Sequence, residues 1–111
     1  MSYNPIGRHL AFQSLEEELD VTSSGTLGSM LDISDNIRYS YFSMTTSGTS
    51  SNYTLVMQCS ANGTEWGEIP NTTLQGDGIV DNIETVAKYV RVKVSVGEGS
   101  SSATKCTIIA K

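Results

Sequence analysis

The sequence predicts an all-β chain, an antiparallel β-sandwich or jelly roll of roughly seven or eight short strands, and three observations carry that prediction. From Tyr53 to Ser60, the residues Tyr53, Leu55, Met57 and Cys59 alternate with Thr54, Val56, Gln58 and Ser60. One face can therefore enter a core while the other stays mostly polar. Asn62-Gly63 follows directly, a pair suited to the positive φ angles of a tight type I′ hairpin turn. From Lys88 to Val96, Val90, Val92, Val94 and Val96 alternate with Tyr89, Arg91, Lys93 and Ser95. A period of two means strand, and no segment shows a convincing helical period.

Read in chain order, residues Met1 to Arg8 contain Pro5 and Gly7 and have no period. They read as an extended arm before a single sandwich domain over residues 9–111. Such an arm frays unless a neighbour orders it. Tyr3, Asn4, Pro5 and Ile6 are accordingly candidate interface residues, able to pack on a second chain and offer backbone groups to its edge. Leu10 to Gln13 is expected as a short strand or extended lead-in and Glu18 to Ser23 as a strand. The acidic triplet Glu16, Glu17 and Glu18 reads as a solvated turn whose like charges discourage edge pairing. Thr22 to Gly28 is a loop by composition. Ser29 to Ser34 is expected as a strand with Met30 or Leu31 and Ile33 in the core, and Asp35-Asn36 as a turn.

Ile37 to Thr46 is rich in aromatic and β-branched residues and reads as a strand that is apolar on both faces. Such a strand is either central with a covered outer side or part of a subunit interface. Tyr39, Tyr41 and Phe42 are therefore further interface candidates. Ser47 to Asn52 and Gly97 to Ser102 read as flexible Gly/Ser loops. Pro70 to Asn82 is expected to be mostly irregular, anchored by Leu74, Ile79 and Val80. Ala103 to Lys111 forms a last strand with Cys106, Ile108 and Ala110 on one face.

Composition narrows function by exclusion. At 111 residues and 11.9 kDa the chain suits one core. A formal charge of −5 and a pI near 4.6 argue against nucleic acid, since phosphate binding needs clustered cations whereas Lys88, Arg91, Lys93 and Lys105 are spread along strands. No long apolar run or signal-peptide pattern is visible, so neither membrane association nor export is expected and the mature chain is expected to start at or next to Met1. Sequons occur at Asn52, Asn62 and Asn71, but Ser and Thr are so abundant that chance explains them. Cys59 and Cys106 each fall on an inward strand position. A disulfide between them is geometrically conceivable, but buried free thiols are the expectation without an export signal.

Chemistry is sparse. His9 is the single histidine and lies beside the arm, which leaves a Ser/His/Asp arrangement without an anchored base, so no catalytic residue is assigned and no enzyme is expected. Zinc lacks ligands, and no cofactor is expected. Asp77 and Asp81 in QGDGIVD are weak calcium candidates that more readily serve as turn formers. Trp66 either closes one end of the core or stands exposed as a stacking platform, with core closure favoured because the chain needs large apolar groups.

SANGTEW followed by KYVRVKVSV is similar to the turn and strand motifs of discoidin-like jelly-roll sandwiches, many of which bind glycans or lipid head groups. More closely, residues 37 to 111 resemble small virion proteins of tailed bacteriophages, in which such a sandwich decorates the capsid or forms part of a tail appendage. The discoidin pattern differs here: Cys59 and Cys106 are internal strand residues, and the loops SGTSSN and GEGSSS carry neither aromatic nor basic groups. The resemblance implies a non-enzymatic virion structural protein, foremost a capsid decoration (cement) protein on the outer shell. Its partners would be the major capsid protein and copies of itself, most simply in a trimer, assembled in the host cytoplasm. A tail, neck or fibre module, with or without receptor glycan binding, is the alternative, and a stand-alone carbohydrate-binding domain the third.

Overall fold

The computed structural model describes residues 13–34, 40–48, 52–85, 87–99 and 102–110, without the side chains at 40–45, 47, 48 and 82. Nine strands follow in order: β1 (Gln13–Asp20), β2 (Leu31–Asp32), β3 (Ser40–Gly48), β4 (Thr54–Ser60), β5 (Gly67–Glu68), β6 (Leu74–Gln75), β7 (Gly78–Thr85), β8 (Tyr89–Val96) and β9 (Ala103–Ala110). One sheet has the order β1-β9-β3-β7, and the other β2-β8-β4-β5 with β6 also on β4. Every pairing is antiparallel, first strand with last, β2 with β8, β3 with β7, β4 with β5 and β6. The chain is thus one long hairpin rolled into two facing sheets, the wrapping of a jelly roll. Among the described residues there is no helix.

Strand periodicity builds the core as expected. Leu55 pairs with Val94, Met57 with Val92 and Cys59 with Val90, so these residues share the inner face of their sheet. The three valines, Leu55 and Met57 are essentially fully buried. Each such side chain contributes about 1.5–3 kcal/mol relative to exposure. From the facing sheet come Leu19, Cys106, Ile108 and Ala110, with Val21, Ile33, Tyr53 and Ile69 closing the ends. Val96 departs from its row and is 51% exposed, because a register shift at Thr54/Leu55 breaks the alternation there.

Three local expectations are corrected. The acidic triplet lies within β1 rather than in a turn, with Glu16, Glu17 and Glu18 opposite Thr107, Cys106 and Lys105. Glu17 is on the inner side, where its carboxylate accepts hydrogen bonds from the Ser29 backbone N (2.9 Å) and Oγ (2.9 Å). Pro70 to Asn82 is not mostly irregular, since it contains β6 and the start of β7. A bulge between Phe42 and Met44 offsets the β3–β7 register. Val80 and Ile83, three residues apart, therefore both pack on the core, while Ile79 is 63% exposed instead of acting as an anchor. Met30 is half exposed, leaving Leu31 and Ile33 as the residues of that segment that meet the core. Of the strand expected over Ile37 to Thr46, residues 37–39 lie outside the described residues, and β3 runs from Ser40 on to Gly48, between β9 and β7.

The side of the sandwich is closed by the segment after β1. Along the edge of β8, Gly25 N donates to Val94 O, Val94 N to Thr26 O, and Gly28 N to Val92 O. Gly28 must approach closely, because a Cβ there would lie 2.8 Å from Glu17 Oε2. At Gly97, a Cβ would lie 2.6 Å from backbone atoms of Ser23 and Ser24. Cys59 and Cys106 are both free thiols, on different sheets.

Gly97→Ala should destabilise the fold by about 2 kcal/mol or more, since backbone cannot yield to the added methyl as a side chain end could. A urea midpoint equal to that of the wild type would refute this packing. Burial, and secondly the charge of Glu17, push the Cys106 thiol from 9.0 up to about 12. The native state keeps this proton where the unfolded state loses it, so the stabilisation is complete below pH 9.0 and is lost as pH rises toward about 12. Denaturation midpoints should fall across that window, and Cys106→Ala should flatten the fall without removing it, because burial also raises Tyr53.

Candidate interaction face

The outward face of the β2-β8-β4-β5 sheet follows from the same register that builds the core. With the valines inside, Tyr89, Arg91 and Lys93 of β8 face outward, opposite Ser60, Gln58 and Val56 of β4. Gln58 is also opposite Glu68 of β5. The β4–β5 connection then delivers Trp66 onto this face. Ser60 Oγ accepts from the backbone N of Asn62 (3.2 Å) and Gly63 (2.8 Å), and Asn62 Oδ1 accepts from the N of Thr64 and Glu65, both at 2.9 Å. Gly63 has φ +85°, as expected for it, but Asn62 has no positive φ and strand pairing resumes only at Gly67. The connection is therefore a side-chain-braced loop over residues 61–66, not a two-residue type I′ turn.

Trp66 neither fills the core nor stands bare. It is half-buried, its Nε1 donates to Gly63 O at 3.2 Å, and the Arg91 guanidinium lies 3.9 Å from the ring centroid. Arg91 Nε in turn donates to Gln58 Oε1 at 2.8 Å. Stacking fixes the plane of the guanidinium and the Gln58 bond fixes its rotation within that plane. Among the described residues no carboxylate forms an ion pair with it. Burial lowers the Arg91 pKa from its ordinary value, with no charged neighbour contributing. Around this pair, Lys88 Nζ lies 5.6 Å from the Tyr89 ring centroid. The Tyr89 ring and Met30 Sδ lie 3.4 and 3.8 Å from where a Cβ on Gly63 would sit. The result is a preorganised cation in an aromatic and thioether rim.

The other candidates are distributed differently. Tyr3, Asn4, Pro5, Ile6 and Tyr39 lie outside the described residues. Tyr41 and Phe42 are on β3, in register with Glu84 and Ile83 of β7. Asp77 is exposed and accepts a 3.0 Å hydrogen bond from the Tyr53 hydroxyl, whose oxygen accepts from Thr104 Oγ1 at 3.2 Å. That contact pins the β6–β7 turn, where Gly76 N donates to Tyr53 O and Thr46 Oγ1 donates to Gly76 O. Asp81 is on β7, and among the described residues no group of three or more His, Cys, Asp or Glu side chains could hold a metal ion. The Arg91–Trp66–Gln58 arrangement went unread in the sequence. Its one signal was that Arg91 and Gln58 sit on the polar phases of two alternating strands.

No protein-family model matches the sequence, and no curated protein matches it significantly. Solved structures do share its fold. YomS, derived from the SPBc2 prophage, superposes with a TM-score of 0.58 at 10% identity, over 89% of this chain and 96% of that one. The mitogen YPM of Yersinia pseudotuberculosis gives 0.53 at 12% identity, over 90% and 84%. At such identities the likeness is one of fold, spanning nearly the whole of each chain.

Arg91→Ala should uncover one face of Trp66, the chain's single tryptophan, and red-shift its emission while costing about 1 kcal/mol of stability. An unchanged spectrum would show that the stack does not persist in solution.

Proposed function

We propose that this chain is a non-enzymatic structural protein of a tailed-bacteriophage virion, foremost a capsid decoration protein that binds the outer shell and stabilises it. The observation that carries the reading is the near full-length fold likeness to a prophage-derived protein, joined to the phage-like hairpin and late-strand pattern of residues 37–111. Jelly rolls recur as coat and recognition modules, which agrees with it. The partners in this reading are the major capsid protein and further copies of the chain, on the outer surface of the particle.

The mechanism is mass action. A protein that binds assembled capsomers but not free ones stabilises the shell according to its occupancy, and symmetric clustering of several weak contacts multiplies that effect. Neither step requires a nucleophile, acid–base pair or metal. The alternative is a tail, neck or fibre module, with or without receptor glycan binding.

Quantifying this chain in purified particles tests the reading. Hundreds of copies, with density on the shell and earlier heat release of DNA from particles lacking it, are the expected result. A few copies located at the vertex or tail would move it to the alternative, and absence from particles would refute both.

A further inference from the structure

The interaction face holds a guanidinium that is oriented, half-buried and, among the described residues, not paired with a carboxylate. Stacking on Trp66 at 3.9 Å and the 2.8 Å bond to Gln58 consume one face and one N–H of Arg91. What remains is the end of the planar fork, the part that grips a carboxylate with two parallel hydrogen bonds. Arg91 is half-buried, with no carboxylate paired to it among the described residues, and an incoming carboxylate would add a charge-assisted pair. Lys93 continues the row one pleat further along β8, about 7 Å away by strand geometry. Asp32 and Glu68 flank the row, yet among the described residues neither forms an ion pair with Arg91 or Lys93.

The chain carries the complementary row on its other sheet. Glu16 and Glu18 are both exposed on the outward side of β1, on either side of the inward Glu17. They repeat with the same two-residue spacing of about 7 Å. Glu18 is in register with the exposed Lys105, and among the described residues Glu16 Oε2 accepts only a long 3.5 Å bond from Thr107 Oγ1. A sugar ring would need a free face of Trp66, one of which Arg91 already covers, whereas Trp, Tyr, Arg and Met together are the composition of protein contact centres.

We propose that this face binds a second copy of the chain, with Arg91 and Lys93 of one protomer receiving Glu16 and Glu18 from β1 of its neighbour. The proposal rests on the assembly reading given above. Donor row and acceptor row lie on different sheets, so the contact is heterologous and each protomer both gives and receives one. A ring forms if the rotation closes, and an open stack if it does not. Charge pairing at the rim makes the association weaken with salt.

Sedimentation velocity of the full chain over a range of concentrations tests this. Wild type should self-associate at low salt and dissociate at high salt. Arg91→Gln and the double variant Glu16→Gln/Glu18→Gln should each be monomeric, and an equimolar mixture should form a dimer that grows no further, because only one intact pair of rows remains. Lys93→Glu, at a residue that makes no hydrogen bond or ion pair with described side chains, should also weaken association and guards against misfolding of the Arg91 variant; circular dichroism checks the fold of each. A monomeric wild type, association indifferent to these changes, or a mixture that stays monomeric would overturn the proposal. Binding of an acidic oligosaccharide by Arg91 without self-association would likewise overturn it in favour of a glycan. Particle copy number is read independently, so failure here leaves the virion reading standing or falling on its own.

Discussion

The antiparallel pairing of β4 with β8 is the constraint on which the rest of the molecule depends. Because successive strand residues point to opposite sides, the register that places Leu55 on Val94 and Met57 on Val92 also places Gln58 on Arg91. The core and the candidate interaction face are the two sides of one alignment. A slip of a single residue would expose the valines and bury Arg91 and Lys93, so core burial enforces the register of the outer face as well.

The second sheet packs on this pair through the shared apolar core, and polar contacts tie the margins. Glu17 reaches across to Ser29, Gln13 Nε2 donates to Asp32 O at 2.7 Å, and Tyr53 ties Thr104 to Asp77. Such bonds contribute about 1 kcal/mol each, less than the apolar burial they surround. Their effect is directional: apolar contacts favour any close approach of the sheets, whereas a carboxylate turned inward from an edge strand tolerates only one partner loop. An inward charge and a ridge of outward carboxylates also discourage unspecific pairing along β1.

This division bears on assembly. A jelly roll with its first and last strands paired closes its core within one chain, so outward side chains such as Arg91 and Glu16 can carry contacts without opening that core. The polar phase of β8, spread along the strand in sequence, becomes a row at regular pitch in space. That converts a chain of net charge −5 into a particle with a cationic stripe on one sheet and an acidic ridge on the other.

By itself the sequence determined the elements in which one period runs unbroken. The alternations of Tyr53 to Ser60 and Lys88 to Val96, the late strand with Cys106, Ile108 and Ala110, and the positive φ at Gly63 were all legible, and with them the β-sandwich class. Local patterns carried these because alternation and backbone sterics act between near neighbours. Tertiary structure alone decided the rest. Three consecutive glutamates read as a turn until a loop twelve residues on supplies Ser29 as a partner for Glu17. β7 is hidden because a bulge against β3 shifts its apolar residues out of period. Trp66 belongs to neither of the roles its sequence position suggested, since its neighbour Arg91 arrives from a strand that only sheet pairing brings beside it. In each case the deciding partner is remote in the chain, and pairing across the rolled hairpin is the physical event that makes it near.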